Sequence, residues 1–158
     1  YFELRPGARE LLKELNDKNI PVVIISAGVG NFIEMFLEHE GIHYPNIHII
    51  SNFIDFDENG EAAAPRYDYV IHVANKDEDQ LVPLVTPFIE GRDKVILLGD
   101  SADDVRMGDE KKISTMLSIG FLERDVEKYR ESFRTLYDMV LEEQQPMDIV
   151  TDIVRQVK

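Results

Sequence analysis

The sequence predicts an α/β fold: a doubly wound, mostly parallel sheet in a three-layer α/β/α sandwich, with one β-hairpin. Three observations predict it. Short runs rich in apolar residues recur at Pro21–Ser26, Asn46–Asn52, Lys94–Asp100 and Thr115–Phe121. Runs of that length, bounded by Pro, Gly or polar turn residues, read as buried parallel strands. Helix-like stretches separate them, and strands alternating with helices define the class. Finally, Asp57-Glu58-Asn59-Gly60 is a turn signal of the hairpin kind.

Taken in order, Arg5-Pro6-Gly7 leads into an amphipathic helix over Ala8–Leu15, where a proline in the first turn would lose no hydrogen bond. The strand Pro21–Ser26 follows, then Ala27-Gly28-Val29-Gly30 and a helix from Asn31 to His39. Asn46–Asn52 is a strand and Phe53–Ala63 the hairpin, at an edge. A short extended segment, Tyr69–Val73, ends at Asn75-Lys76, and a helix over Asp79–Ile89 has Pro83 as a candidate kink. The clearest strand is Lys94–Asp100, followed by a short helix from Ser101 to Gly108. The strand Thr115–Phe121, a helix Glu123–Phe133, a short strand Asp138–Leu141 and a closing helix Met147–Val157 complete the order. No internal repeat, low-complexity segment or linker divides residues 1–158, so a single domain is expected.

Composition narrows the function. A net charge of −14 over 158 residues argues against nucleic acid or an anionic membrane as partner, since both need a basic surface. A small anionic substrate remains open, because local charge, a metal or helix N-termini decide that case. With no cysteine, disulfides, thiolate zinc sites and a Cys nucleophile are excluded, and a cytoplasmic location fits. No apolar run approaches the roughly 20 residues of a membrane span.

Ligands bind at the carboxyl ends of strands in open α/β sheets, which points to three places. At Ser26-Ala27-Gly28 a hydroxyl and small residues sit between a strand and a helix; they fit an anion, and equally an ordinary turn capped by serine. Lys76 could neutralise a phosphate, or pair with Asp77 or Asp79 at the surface. At Gly99-Asp100-Ser101-Ala102-Asp103-Asp104, a buried strand delivers Asp100, and Asp104 lies one helical turn on. Clustered carboxylates are costly without a cation, and a hard divalent ion such as magnesium is the usual remedy. An aspartate capping a helix is the plainer alternative. Together, Ser, then Lys, then Gly-Asp-x-x-x-Asp reads as a phosphate clamp beside a metal site.

That order resembles motifs two to four of the haloacid dehalogenase (HAD-like) superfamily. The runs Ile25–Gly30, Ser51–Gly60, His72–Lys76 and Leu97–Met107 are more specific, and resemble the cytosolic pyrimidine 5′-nucleotidase family over essentially the whole chain. The resemblance implies a magnesium-dependent phosphatase acting on nucleoside monophosphates. Ser26 and the Ala27 backbone would hold the phosphate, with Gly28 allowing close backbone approach. Lys76 would bridge phosphate and nucleophile, Asp100 would ligate Mg2+, and Asp104 would support the metal's water shell. The superfamily's first motif, Asp-x-Asp, does not precede Ser26; Asp55-Phe56-Asp57 has the spacing but reads as hairpin. The nucleophile strand and helical cap are thus expected outside this chain, which alone should be inactive. Two half-sheets would remain, one on Val22–Ile25 and Ile47–Ile50, the other on Val95–Leu98 and Met116–Ile119. An ordered form would need an upstream strand between them, or direct closure of one on the other. A non-catalytic domain that binds Mg2+ and phosphate is the alternative. A phosphotransfer receiver domain fits less well, because it requires a phosphoacceptor Asp ahead of the Ser and Lys.

Overall fold

The structure is a computed structural model, and the residues it describes are 3–72, 81–107 and 115–157. Among them the elements run α1 (Ala8–Asp17), β1 (Val22–Val29), α2 (Gly30–His39), β2 (Ile47–Asn52), β3 (Ile54–Phe56), β4 (Ala62–Pro65), α3 (Val82–Ile89), β5 (Lys94–Gly99), β6 (Thr115–Leu122), α4 (Val126–Leu136), β7 (Met139–Glu142) and α5 (Asp148–Gln156).

Side-chain alternation along the strands divides the apolar residues between two helical layers. In β1, Val22 and Ile24 face a cluster with Leu12 of α1 and Ile33 and Leu37 of α2. Val23 and Ile25 face the opposite cluster, with Ile71, Leu81 and Leu84 and Val85 of α3. In the second sheet, Ile96, Leu98, Leu117, Ile119, Phe121, Met139 and Leu141 pack against Leu11 and Leu15 of α1 and Val150 and Val154 of α5. Leu122 and Val140 face Phe133 of α4 and Tyr137. This is the expected three-layer arrangement, with parallel pairing of β1 with β2, β5 with β6 and β6 with β7.

The sheet comes in two parts, β1-β2 and β5-β6-β7, beside the antiparallel hairpin β3-β4. The half-sheets therefore form as expected, but they do not close on each other: among the described residues β1 and β5 are edge strands of separate sheets. Ile25 of β1 and Leu98 and Gly99 of β5 line a cavity of about 310 Å³ between them. Among the described residues α1 helps to join the halves, giving Leu12 to one core and Leu11 to the other. An apolar helix face laid across a seam buries surface on both sides and needs no ladder. Arg5 fastens the lead-in to that helix. Its guanidinium donates to the carbonyls of Glu143 (2.6 Å), Gln145 (2.8 Å) and Leu141 (3.4 Å), pairs with Glu123 at 2.8 Å, and lies 4.6 Å over the Phe121 ring.

Several local expectations change. β1 does not stop at Ser26 but continues to Val29, with a register irregularity between Ile25 and Val29. The helix expected over Ser101–Gly108 is, in its described part, a 3-10 turn at Asp104–Met107. Pro83 falls in the first turn of α3, where its missing N–H costs nothing, so it starts the helix rather than bending it. The described part of Tyr69–Val73 joins no sheet. Asp55 and Asp57 belong to the hairpin: Asp55 pairs with Arg66 at 3.3 Å, and Asp57 Oδ1 accepts the N–H groups of Asn59 and Glu61 at 2.9 Å each.

Candidate active site

Ser26 lies inside the irregular stretch of β1, not in the turn to α2. The cap position of α2 is Val29, and no side chain caps it. Ser26 Oγ accepts the Gly28 N–H at 3.1 Å. The bulge is held from the neighbouring strand: Ser51 Oγ donates to the Gly28 carbonyl (2.9 Å) and Asn52 Nδ2 to the Ala27 carbonyl (3.0 Å). In a trans peptide the N–H points opposite to the C=O. Fixing these two carbonyls therefore turns the Gly28 and Val29 N–H groups away from β2. Ladder pairing resumes at Val29 and Asn52.

Asn52 does more. Its amide also donates to the Ile71 carbonyl and accepts the Ile71 N–H, both at 2.8 Å. One side chain thus ties the Ser26 loop to the segment that leads toward Lys76. Lys76 itself lies outside the described residues. Gly30, the first residue of α2, admits Phe53 so closely that a Cβ there would stand 2.5 Å from the ring.

Across the cavity, β5 delivers Asp100, whose side chain is exposed. Asp104 is 2% exposed, and its Oδ2 accepts the N–H groups of Asp100 (2.9 Å) and Ser101 (3.0 Å). Part of the Asp104 carboxylate is thus spent on the loop's own backbone, a role the spacing did not disclose. Tyr137 donates its hydroxyl to the Ser101 carbonyl at 2.6 Å. Burial, and then the Asp104 and Asp100 carboxylates, push this phenol well above the usual tyrosine range, so it stays a donor. The Ser101 hydroxyl is buried with no hydrogen-bond partner. Arg5, Ile25, Leu98, Gly99, Asp100, Asp104, Phe121, Glu123 and Met147 line the cavity. The structure so brings the Asp100 loop and the strand bearing Ser26 to one cleft.

Sequence reasoning passed over Ser51, Asn52, Tyr137 and Arg5. The first two end the run Asn46–Asn52, whose composition marks a strand and nothing more; glycines inside two strands, Gly99 and Gly120, were the available signal for Tyr137.

The fold is an α/β domain with mostly parallel sheets, consistent with the HAD-like kind, and the comparisons specify its family. The family model described as "Pyrimidine 5'-nucleotidase (UMPH-1)" matches residues 1–158. This chain belongs to that family. It is 36% identical over 156 residues to the human "7-methylguanosine phosphate-specific 5'-nucleotidase", covering 98% of this chain and 52% of that protein. The chicken protein of that name is 35% identical over 156 residues, covering 98% and 54%. A crystal structure of cytosolic 5'-nucleotidase IIIB bound to cytidine superposes with a TM-score of 0.82 at 29% identity, covering 97% of this chain and 53% of that one. The chain spans about half the length of the curated relatives it matches. Among the described residues no helix is long and apolar enough to cross a membrane.

Proposed function

We propose that this chain is the metal- and phosphate-holding half of a magnesium-dependent 5′-nucleotidase. The reaction is hydrolysis of nucleoside monophosphates, pyrimidine nucleotides first, through an aspartyl-phosphate whose nucleophile lies outside this chain. The observation that carries the reading is the shared cleft: the Asp100 loop and the β1 residue that precedes Ser26 line one cavity between β1 and β5. Each bordering strand is the edge of its sheet. A further strand seated there would pair with both and bring a nucleophile between the two loops.

The donors fit magnesium. Asp100 offers an exposed carboxylate at a strand end, and the adjacent Ser101 hydroxyl is buried and unpartnered. Among the described residues no three His, Asp or Glu side chains converge. One or two carboxylates suit an ion that keeps waters and a phosphate oxygen. Asp100 would hold it, with Asp104 acting through the loop. A magnesium ion held there would supply neutralisation of charge on the phosphate. Ser26 donates its hydroxyl proton to a phosphate oxygen, with the Ala27–Gly28 backbone beside it. Lys76 would bridge phosphate and nucleophile, a role that rests on the family resemblance. The acidic net charge favours a small substrate over a nucleic acid polymer, and the cytosolic name of the similar structure supports a cytoplasmic location.

A chimera tests this, with the chain fused behind the part of the human relative that it does not cover. It should release phosphate from cytidine or 7-methylguanosine monophosphate only with Mg2+. S26A should lower kcat/KM by about 100-fold, and D100N should abolish magnesium-dependent turnover. A folded chimera whose D100N variant retains that turnover refutes the reading. A folded chimera without turnover favours a domain that binds Mg2+ and phosphate without catalysis.

A further inference from the structure

Gly99 and Gly120 are register partners on β5 and β6. Glycine inside a strand weakens it by roughly 0.5–1 kcal/mol against alanine, so a facing pair calls for a reason. The reason at Gly120 is Tyr137, and at Gly99 it is Tyr137 together with the Asp104 side chain, whose Cβ would stand 2.6 Å from an added Cβ. A Cβ on Gly120 would stand 2.6 Å from the Tyr137 ring, and a Cβ on Gly99 would collide with the Tyr137 hydroxyl oxygen. The two glycines make a trough in which the phenol crosses both strands. Phe133 holds the ring from the other side, with centroids 5.4 Å apart.

At the end of the trough the hydroxyl meets the Ser101 carbonyl, while Asp104 holds the N–H groups of Asp100 and Ser101. Core packing alone would be met by phenylalanine; the hydroxyl serves only the loop. We propose that Tyr137 is a positioning residue for the metal-holding loop: by fixing the Ser101 carbonyl it sets the direction in which Asp100 presents its carboxylate. The proposal rests on Asp100 as the metal ligand.

The test compares the parent chain with Y137F and D100N. Amide hydrogen exchange reads the loop, and the dissociation constant for Mn2+, measured by water-proton relaxation, reads the site. In Y137F the Asp100 and Ser101 amides should exchange about 2- to 10-fold faster while that of Ile119 is unchanged, and Mn2+ affinity should fall by about the same factor, as expected for one hydrogen bond. Unchanged exchange at those two amides overturns the proposal. So does Mn2+ affinity equal to the parent's in Y137F while D100N abolishes binding. Mn2+ binding that D100N leaves intact overturns instead the metal reading on which the proposal rests.

Discussion

Replacing Asp104 separates its work in the loop from the packing around it. The side chain is 2% exposed, and one of its oxygens accepts two backbone N–H groups at 2.9 and 3.0 Å. Hydrogen bonds to a charged group contribute about 1.5–3 kcal/mol each, and a buried donor left unmet costs about 1–3 kcal/mol. D104A leaves two donors unmet and a small void. Because the two bonds share one oxygen and their losses overlap, we expect about 3–5 kcal/mol of destabilisation, a large part of a domain's roughly 5–15 kcal/mol. D104N keeps an oxygen in place and loses mainly the charge assistance, so about 1 kcal/mol is expected. Urea unfolding followed by far-ultraviolet circular dichroism measures both, and an unchanged denaturant slope would show that the folded and unfolded states keep their surfaces. D104A within about 0.5 kcal/mol of the parent, the range of ordinary surface changes, refutes the reasoning; so does a D104N as costly as D104A.

Two further outcomes follow from particular contacts. The Asp138 carboxylate accepts the N–H and hydroxyl of Ser118 at 2.8 Å each, and these bonds hold its pKa below the ordinary 3.8. A lowered folded-state pKa gives stability that is complete above the unfolded value and lost as pH falls through the folded one. D138N should therefore be less stable than the parent at neutral pH, with the gap closing below the ordinary carboxylate range; urea midpoints measured from neutral to acid pH that keep a constant gap contradict this. The purified chain alone should not turn over cytidine monophosphate with Mg2+, because no nucleophile-bearing Asp-x-Asp precedes Ser26. Stoichiometric phosphate release would point to Asp55, Asp57 or Asp103.

Much of the fold was legible because its strands carry their burial in their own composition. Val22–Ile25 and Val95–Leu98 are continuous apolar runs, and parallel strands covered on both faces need nothing more specific. The carboxyl ends of those runs then pointed to Ser26 and Asp100 as candidates. What escaped depends on side chains far apart in sequence. The bulge that carries β1 past Ser26 is held by Ser51 and Asn52, 23 and 25 positions from the carbonyls they bind. Local periodicity holds no trace of such bonds. Asp104 was placed one turn beyond Asp100, but its bonds to the N–H groups of Asp100 and Ser101 were not foreseen. A carboxylate one turn beyond Asp100 can face a metal or fold back on the loop's N–H groups, and spacing alone does not decide. The joining of the half-sheets by α1 was hidden as well, since an amphipathic stripe does not say that it lies across two cores.

The central claim is that one cleft in this chain holds both a magnesium ion and a phosphate group, with the Asp100 loop on one side and the Ser26 loop on the other. Amide chemical shifts of the isotope-labelled chain, followed while Mg2+ and then inorganic phosphate are added, test it most directly. The account predicts that Mg2+ moves Asp100 and Ser101, that phosphate added afterwards moves Ala27 and Gly28, and that D100N removes the first response and weakens the second. Shifts confined to the hairpin around Asp55 and Asp57, or phosphate shifts at Ala27 and Gly28 that D100N leaves untouched, would contradict it.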